Sequence, residues 1–461
     1  MHHLHRGLAA VLWLSISGLV WAIELDLDDP QSIKDAAAVV AKGMMTFYNG
    51  DKPGGIPGLL PPPYYWWESG AMWGQLINYW YYTGDDTYNA EVMKALLFQV
   101  GPNEDYMPPN QTKAEGNDDQ AFWAFTVMDA CELKFENPPA DQPQWLALAQ
   151  AVFNQQVARW DSENCGGGLR WQIYPFNNGY NYKNTISNAG FFQLAARLAR
   201  YTNNQTYADK AEEMFEWMLN SPILIDRNTS YWVNDGTSND NDCADPDRTQ
   251  WTYNYGTLIA GSAYLYNWTN GSELWKQRLD KFIAGLSPIF FAPERGGGNV
   301  MCEWSCELNQ KCNYDQPSFK AYLTRWLVTT MQLAPYTWDT IKPKLEASAM
   351  GAAQQCTGQP GGDRCGRRWY QAEWDGFTGV GEQMSALAVI TANLVPKITL
   401  EPPVTVDTGG NSTGNPAAGT APDQVNPYHD GEITTADRAG AGIITALLLI
   451  MTVGGSWFMV S

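Results

Sequence analysis

Two adjacent acidic residues, Asp118 and Asp119, are the residues of this sequence best suited to carry out chemistry. They open a helix that the apolar pattern predicts over Gln120–Ala130. Two neighbouring carboxylates repel each other, so one of them keeps its proton at a raised pKa. Cleavage of a glycosidic bond needs one ionised and one protonated carboxyl, and a retaining enzyme holds the two about 5 Å apart. Neighbouring residues at a loop-to-helix junction can satisfy this separation.

The same pair has a purely structural interpretation. Asp residues commonly cap the N-terminus of a helix and complement its dipole. The position of Asp118 and Asp119 alone does not separate this role from a catalytic one.

The distribution of histidine restricts the reactions that are possible. The four histidines are His2, His3, His5 and His429, three near the N-terminus and one in a polar C-terminal segment. The predicted folded domain therefore contains no histidine, which excludes Ser-His-Asp and Cys-His catalysis and zinc sites built on imidazole. General acid–base chemistry must rest on carboxylates, Tyr or Lys.

Aromatic and amide side chains alternate in several segments that are predicted to be loops, as a carbohydrate-binding cleft would require. Indole rings offer a flat apolar face to a sugar, whereas Asn, Gln and Asp can bind its hydroxyls. For any single aromatic residue, packing in the core is the alternative explanation. The candidate sugar-binding residues are Trp66, Trp67, Asn117, Trp123, Trp171, Gln172, Asn184, Asn188, Trp251, Tyr253, Asn254, Trp374 and Asp375.

Charge and metal-binding patterns exclude other classes of partner. The net charge of −20 argues against nucleic acid, which needs clustered Lys and Arg. The acidic run at 235–247 could suggest calcium, but it lacks the Gly and the terminal Glu of an EF-hand loop. A solvated polar loop is the preferred interpretation, and no cofactor or metal is predicted.

Helices are the elements that must position these residues. Residues 190–199 are apolar around most of the helix, which indicates a buried helix, whereas Tyr207–Leu219 has one charged and one apolar face. Polar turns of similar sequence occur near 82–88, 141–145, 202–207, 269–275 and 337–339. Their period of about sixty residues predicts about six helical hairpins.

Six hairpins that close on themselves form an (α/α)6 barrel, so the predicted fold is all-α. An open solenoid is the alternative, but its stacking would require repeats more alike than these. The long loops between hairpins should gather at one end of the barrel and form the cleft.

Both ends of the chain carry apolar stretches that predict secretion and a lipid anchor. Residues 1–22 have the form of a signal peptide, with an uncleaved anchor as the alternative. A polar linker at 398–438 and an apolar tail at 439–461 have the form of a GPI-attachment signal, with Gly419 or Asp430 as the attachment residue. A transmembrane helix is the alternative, but no basic cluster follows the tail. We therefore expect the protein at the cell surface, on the outer leaflet of the plasma membrane.

A secreted chain would form disulfides and carry glycans. The eight cysteines are better explained as disulfides than as metal ligands, and Cys356 with Cys365 is the preferred local pair. The predicted glycosylation sites are Asn110, Asn204, Asn228, Asn267, Asn270 and Asn411, all expected at the surface.

Five segments of the sequence resemble glycoside hydrolase family 76. They are GNDDQ at 116–120, GGGLRWQ at 166–172, KNTISN at 183–188, QWTYNYG at 250–256 and AEWDG at 372–376. The likeness is strongest to the fungal, Dfg5/Dcw1-type branch of GPI-anchored cell-wall proteins, and it covers the predicted domain at 23–397. It implies an (α/α)6 fold and an α-1,6-mannanase-type site, with Asp118 as nucleophile and Asp119 as acid/base.

The fungal branch further implies a transglycosylase that cleaves the mannose core of a GPI glycan and passes the attached protein to wall β-glucan. Two other functions remain open from the residues alone. One is a non-catalytic wall protein that binds mannan, and the other is a hydrolase of a different polysaccharide. Analysis of the products formed from an α-1,6-mannan oligomer would distinguish them.

Overall fold

The computed structural model describes residues 23–295, 298–358, 362–395, 402–421 and 435–460. The predicted signal peptide at 1–22 and the candidate attachment residue Asp430 lie outside these ranges. The described chain is mostly helical, and its helices follow the hairpin pattern that the sequence predicts.

Six pairs of one inner and one outer helix are arranged around one axis; five pairs are hairpins, and the sixth joins the last helix of the barrel to the first. The helices are α1 Pro30–Met45, α2 Trp66–Thr83, α3 Asn89–Phe98, α4 Asn117–Glu132, α5 Trp145–Ala158, α6 Thr185–Thr202, α7 Gln205–Asn220, α8 Thr252–Trp268, α9 Glu273–Phe290, the short α10 Trp304–Glu307, α11 Phe319–Leu333, α12 Trp338–Gln355 and α13 Val380–Thr391. Helices α2, α4, α6, α8, α11 and α13 form the inner ring; each packs against the next, and α13 packs against α2 again. The ring is therefore closed, which confirms the predicted (α/α)6 barrel and excludes an open solenoid.

Inner and outer helices differ as their sequences indicate. Nearly every residue of α6 is buried, whereas α7 buries one face only. The turn between them is set locally, because Asn203 ends α6 in the left-handed conformation (φ 52°). Asn204 then caps α7 by accepting a hydrogen bond from the Thr206 N–H at 2.9 Å. This pattern of a buried helix, a polar turn and an amphipathic helix builds each hairpin.

Short strands lie in the loops that precede the inner helices. They are β1 Tyr182–Asn184, β2 Leu224–Asp226, β3 Tyr231–Val233, β4 Gly236–Ser238, β5 Pro246–Asp247, β6 Cys356–Gly358 and β7 Arg364–Cys365. Strand β1 pairs antiparallel with β4, which also pairs with β5. The helical periodicity did not predict these strands, which brace loops at one end of the barrel.

Disulfides brace the same end. The expected bond between Cys356 and Cys365 is present and joins β6 to β7, and Cys165–Cys243 and Cys306–Cys312 join further loop residues. Cys131 and Cys302 are buried free thiols, so these two do not follow the prediction that all eight cysteines form disulfides. The six predicted glycosylation sites are all exposed.

Residues 402–421 form a strap that packs on the outside of the barrel. The Val404 N–H donates to the Glu132 carbonyl at 2.9 Å, and the Leu146 N–H donates to Ser412 Oγ at 3.1 Å. Further along, Asn154 Nδ2 donates to the Ala418 carbonyl at 2.7 Å. The packed domain therefore extends past the boundary at residue 397 that the sequence predicts, because the strap satisfies backbone and amide groups of α4 and α5. Helix α14, Thr435–Val460, contains a 20-residue segment apolar and long enough to cross a membrane.

Candidate active site

A cleft of about 510 Å³ opens at the end of the barrel where the inner helices begin. Loops or first turns of α2, α4, α6, α8 and α11 contribute to it. Its lining residues are Tyr65, Trp66, Trp67, Gln111, Ala114, Glu115, Asp118, Asp119, Phe122, Trp171, Gln172, Tyr182, Asn184, Asp235, Trp251, Tyr253, Asp315, Gln316 and Phe319. The long loops thus gather at one end of the ring, as the hairpin pattern predicts.

Asp118 and Asp119 occupy the first turn of α4, in the wall of this cleft. Asp119 Oδ2 accepts a hydrogen bond from the Gly116 N–H at 2.7 Å, so one of its oxygens caps the helix. Asp118 Oδ2 accepts from Asn184 Nδ2 at 3.3 Å, while its Oδ1 is buried with no partner in the described chain. The capping interpretation therefore applies to one oxygen of Asp119 and leaves the pair otherwise available to a ligand.

Burial changes the protonation of both carboxyls. It raises the pKa of Asp118 to about 7, although the surrounding hydrogen bonds oppose the rise. Burial and the adjacent Asp118 charge together raise the pKa of Asp119 well above its ordinary value. Both carboxyls therefore bind a proton more readily than an exposed Asp does, and the proximity of the two disfavours ionisation of both together.

Strand β1 brings its side chains into the site by alternation. Tyr182 and Asn184 face the cleft, whereas Lys183 between them is fully buried and forms an ion pair with Asp161 at 3.2 Å. Lys183 also donates to the Asn164 carbonyl at 2.7 Å. This buried cation fixes the strand and so fixes the approach of Asn184 to Asp118.

Three further carboxyls line the cleft: Glu115, Asp235 and Asp315. Burial raises the pKa of Glu115 well above its usual range and raises the pKa values of Asp235 and Asp315 to about 6. Among the described lining residues there is no Lys or Arg. The sequence indicated Asp235 only as part of the acidic run at 235–247 and did not predict Glu115 or Asp315 as site residues. The position of Glu115 three residues before Asp118 could have suggested it, whereas Asp235 and Asp315 reach the site only because the ring closes.

Three of the five carboxyls that line the cleft have a tryptophan side chain next to them. Trp171, Trp251 and Trp67 lie beside Asp118, Asp235 and Asp315, and each moderates the rise in the pKa of its carboxyl. Elsewhere in the wall, the Tyr253 and Phe319 rings stack with centroids 3.8 Å apart. The cleft thus combines flat apolar faces with acceptors of hydrogen bonds, which suits a polyhydroxylated ligand.

Seven of the thirteen sugar-binding candidates line the cleft: Trp66, Trp67, Trp171, Gln172, Asn184, Trp251 and Tyr253. Asn117 and Asn188 lie behind its wall. Asn117 Nδ2 donates to the Arg170 carbonyl at 2.9 Å, and Asn188 Nδ2 donates to the Leu169 carbonyl at 3.0 Å. Both amides are buried and hold the loop that carries Trp171. They therefore position the wall from behind it.

The remaining four candidates also lie outside the cleft lining. Trp123 is fully buried and stacks on Trp66 at 5.0 Å, so it is a core residue. Asn254 Nδ2 reaches Asp235 Oδ1 at 3.4 Å from behind the wall. Trp374 Nε1 donates to the Phe377 carbonyl at 3.0 Å, and Asp375 Oδ2 accepts the Arg368 N–H at 3.0 Å, so both stabilise their own loop.

The acidic run at 235–247 is divided among several elements. Asp235 accepts from the Tyr182 hydroxyl at 2.8 Å, and Asp240 Oδ2 accepts from Ser238 Oγ at 3.0 Å. In the part of the chain that the structure describes, no group of three or more His, Cys, Asp or Glu residues is arranged to hold a metal ion.

Comparison with known proteins adds the family. Residues 32–407 match the model of glycosyl hydrolase family 76. The chain is 48% identical over 452 residues to the mannan endo-1,6-alpha-mannosidase DCW1 of Candida glabrata, covering 96% of this chain and 98% of that protein. It is 45% identical to the crystal structure of Dfg5 from Chaetomium thermophilum in complex with glucosamine, with a TM-score of 0.81 and coverage of 86% of this chain and 97% of the other.

A more distant structure shares the fold. It is an inactive α-1,6-mannanase variant from Salegentibacter with two consecutive Asp residues replaced by Asn, in complex with α-1,6-mannotriose. The TM-score is 0.61 at 18% identity, and the match covers 79% of this chain and 99% of that one.

Proposed function

The chain belongs to glycosyl hydrolase family 76, and from that premise we propose that it is a retaining α-1,6-mannosidase-type enzyme with Asp118 as nucleophile and Asp119 as acid/base. The observation that carries the proposal is the asymmetry of the Asp pair in the cleft wall. Asp118 has one oxygen without a hydrogen-bond partner in the described chain, whereas Asp119 accepts the Gly116 N–H and has a pKa raised by burial and by the adjacent Asp118 charge, which suits the acid/base role.

The first step forms a covalent intermediate. Asp118 attacks the anomeric carbon of a mannose unit while Asp119 gives its proton to the glycosidic oxygen, which leaves with the bonding electron pair. The Asn184 amide at 3.3 Å from Asp118 Oδ2 orients the nucleophile. As positive charge develops on the sugar, the acidic lining of the cleft stabilises it.

The second step releases the sugar. Asp119, now ionised, takes a proton from water or from an acceptor hydroxyl, whose oxygen attacks the anomeric carbon and displaces Asp118. Water gives hydrolysis, and a sugar hydroxyl gives transfer with retained configuration. Both outcomes use the same two carboxyls.

The substrate we propose is an α-mannose-containing glycan, either α-1,6-mannan or the core glycan of a GPI anchor, with wall β-glucan as the acceptor. The names of the fungal relatives support the mannan linkage. The apolar helix α14 supports attachment at the cell surface through a GPI signal. In this proposal the enzyme acts in cell-wall biogenesis.

Product analysis tests the reaction. Purified protein is incubated with an α-1,6-mannan oligomer, with and without a β-1,3-glucan oligosaccharide, and the products are separated by mass spectrometry. We expect shortened mannan in the first case and mannose transferred to glucan in the second. Binding without any shortened or transferred product would favour a non-catalytic, mannan-binding wall protein.

The two carboxyl roles can be separated with an aryl mannoside whose leaving group needs no proton. Asp119→Asn should form the intermediate from this substrate at a near-normal rate, because only acid assistance is lost. Asp118→Asn should remain inactive, because the nucleophile itself is lost. Asp240→Asn, in an exposed loop, is the matched control and should behave as the wild type.

A further inference from the structure

Two tyrosines at the rim of the cleft are strongly exposed. Tyr65 and Tyr314 have 59% and 58% of their surface accessible. Tyr65 lines the cleft, and Tyr314 directly precedes the lining residues Asp315 and Gln316. The mechanism proposed above uses neither ring.

Tyr314 is held in place by its neighbours, and the backbone of Tyr65 is fixed at the start of α2. Asn313 Oδ1 accepts the N–H groups of Asp315 at 2.9 Å and Gln316 at 3.2 Å, which closes a tight turn around Tyr314. The Tyr64 ring meets Tyr314 edge-on at 6.4 Å and is itself fixed where its hydroxyl accepts the Val380 N–H at 3.2 Å. Tyr65 is the N-cap residue of α2. An aromatic ring that is already ordered loses little entropy when a ligand stacks on it.

The two tyrosines lie on the side of the cleft next to α13. Helices α2 and α11 are the neighbours of α13 in the inner ring. Tyr64 bridges the three helices on this side, because its hydroxyl accepts the Val380 N–H of α13 and its ring contacts Tyr314. Tyr65 and Tyr314, next to Tyr64, are exposed, so a chain that leaves the cleft on this side can contact their rings.

We propose that Tyr65 and Tyr314 form a stacking platform for the hexose chain that continues from the cleft on this side. The proposal rests on the function proposed above and adds a binding region outside the reacting sugars. Tyrosine rings stack on the C–H faces of neutral sugars, and the Gln316 side-chain amide, which lines the cleft, can bind hydroxyls. A lipid surface fits less well, since the Gln316 amide and the two tyrosine hydroxyls would have to be desolvated.

Chain-length dependence tests the platform. kcat/KM is measured for α-1,6-linked mannotetraose and for a linear α-1,6-mannan oligomer of twelve units. For Tyr314→Ala and Tyr65→Ala we expect kcat/KM on the long oligomer to fall about tenfold, through KM, while the value for the tetraose changes less than about twofold. Tyr336→Ala is the matched control, because Tyr336 is an exposed tyrosine in the α11–α12 turn at the other end of the barrel.

Equal losses on short and long substrates would overturn the platform, as would no loss on either. A change only in transfer to a β-1,3-glucan acceptor would assign the tyrosines to the acceptor instead and would also overturn it. Loss of binding to phosphatidylcholine vesicles, without a change in chain-length preference, would indicate a membrane contact. If no mannan is cleaved by the wild type, the function proposed above fails, and the affinity of each variant for the two oligomers, measured by calorimetry, still tests the platform.

Discussion

The two ends of helix α4 each hold a pair of acidic residues, and their surroundings are opposite. At the C-terminal end, Asp129 and Glu132 form ion pairs with Arg197 at 2.6 and 2.8 Å, and Asp129 also pairs with Arg325. Tyr264 donates to Glu132 at 2.5 Å. At the N-terminal end, about 20 Å away by the rise of the helix, Asp118 and Asp119 have no ion pair in the described chain.

The difference shows how one helix can serve two purposes. The cations at the C-terminal end of α4, which is the base of the barrel, come from α6 and α11. The paired carboxylates therefore join three inner helices across the barrel axis. At the cleft, the charges are left without a cation, and burial raises the pKa values instead. Pairing makes the first group structural, and the absence of pairing leaves the second with a movable proton.

The largest effect should come from removing a carboxyl at the cleft. Asp118→Asn should lower kcat/KM on α-1,6-mannan by at least about a thousandfold, on the order of 4 kcal/mol of transition-state stabilisation. Its melting temperature should not fall, because a poorly solvated carboxyl is replaced by a neutral amide. A variant that is folded and nearly as active as the wild type would contradict the assignment of Asp118.

Removing a charge from the ion pairs at the base of the barrel should instead lower the stability of the protein. Arg197→Met leaves Glu132 buried without its guanidinium and should lower the free energy of unfolding by about 3–5 kcal/mol. Urea denaturation followed by circular dichroism measures this. Arg227→Met, at an exposed arginine over the Trp232 ring, is the control and should change stability by less than about 1 kcal/mol. A similar loss of stability in both variants would show that the ion pairs at the C-terminal end of α4 contribute no more than an exposed arginine does. The distinction between the two ends of α4 would then be lost.

The strap at 402–421 should contribute less to the stability of the protein than the Arg197 ion pairs do. Ser412 is buried, and its hydroxyl oxygen accepts the Leu146 N–H at the start of α5. Ser412→Ala should therefore cost about 1–2 kcal/mol by leaving that N–H without a partner. Thr413→Ser, at the next and exposed position, preserves the Asn411 glycosylation signal and should have almost no effect. If both variants unfold at the wild-type urea concentration, the strap does not belong to the cooperative unit.

The buried carboxyls of the cleft should also make stability depend on pH. The pKa values of Asp118, Asp235 and Asp315 are raised by burial to about 7, 6 and 6, so the folded protein binds more protons than the unfolded chain between about pH 4 and 7. Stability is then highest at the acidic end of that window and falls as the pH rises through it. We expect a higher melting temperature at pH 5 than at pH 7, and a smaller difference in Asp235→Asn. A melting temperature that rises from pH 5 to pH 7 would contradict the raised pKa values.

The sequence by itself determined the hairpins and the chemistry. Alternating buried and amphipathic helices, separated by polar turns, specify the hairpins, because helix periodicity and capping are local properties. The adjacent positions of Asp118 and Asp119 and the lack of histidine in the domain restrict the chemistry to carboxyls without any knowledge of the fold. The pairing of Cys356 with Cys365 likewise follows from a short separation along the chain.

Only the tertiary structure decided which residues surround the Asp pair. Asn184 reaches Asp118 from 66 residues away, and Asp235 and Asp315 join the cleft because the ring closes. Trp123 and Trp67 have the same residue type, yet one lies in the core and the other lines the cleft. Burial, hydrogen-bond partners and pKa values depend on contacts between distant segments, and those contacts exist only once the helices have packed into a closed barrel.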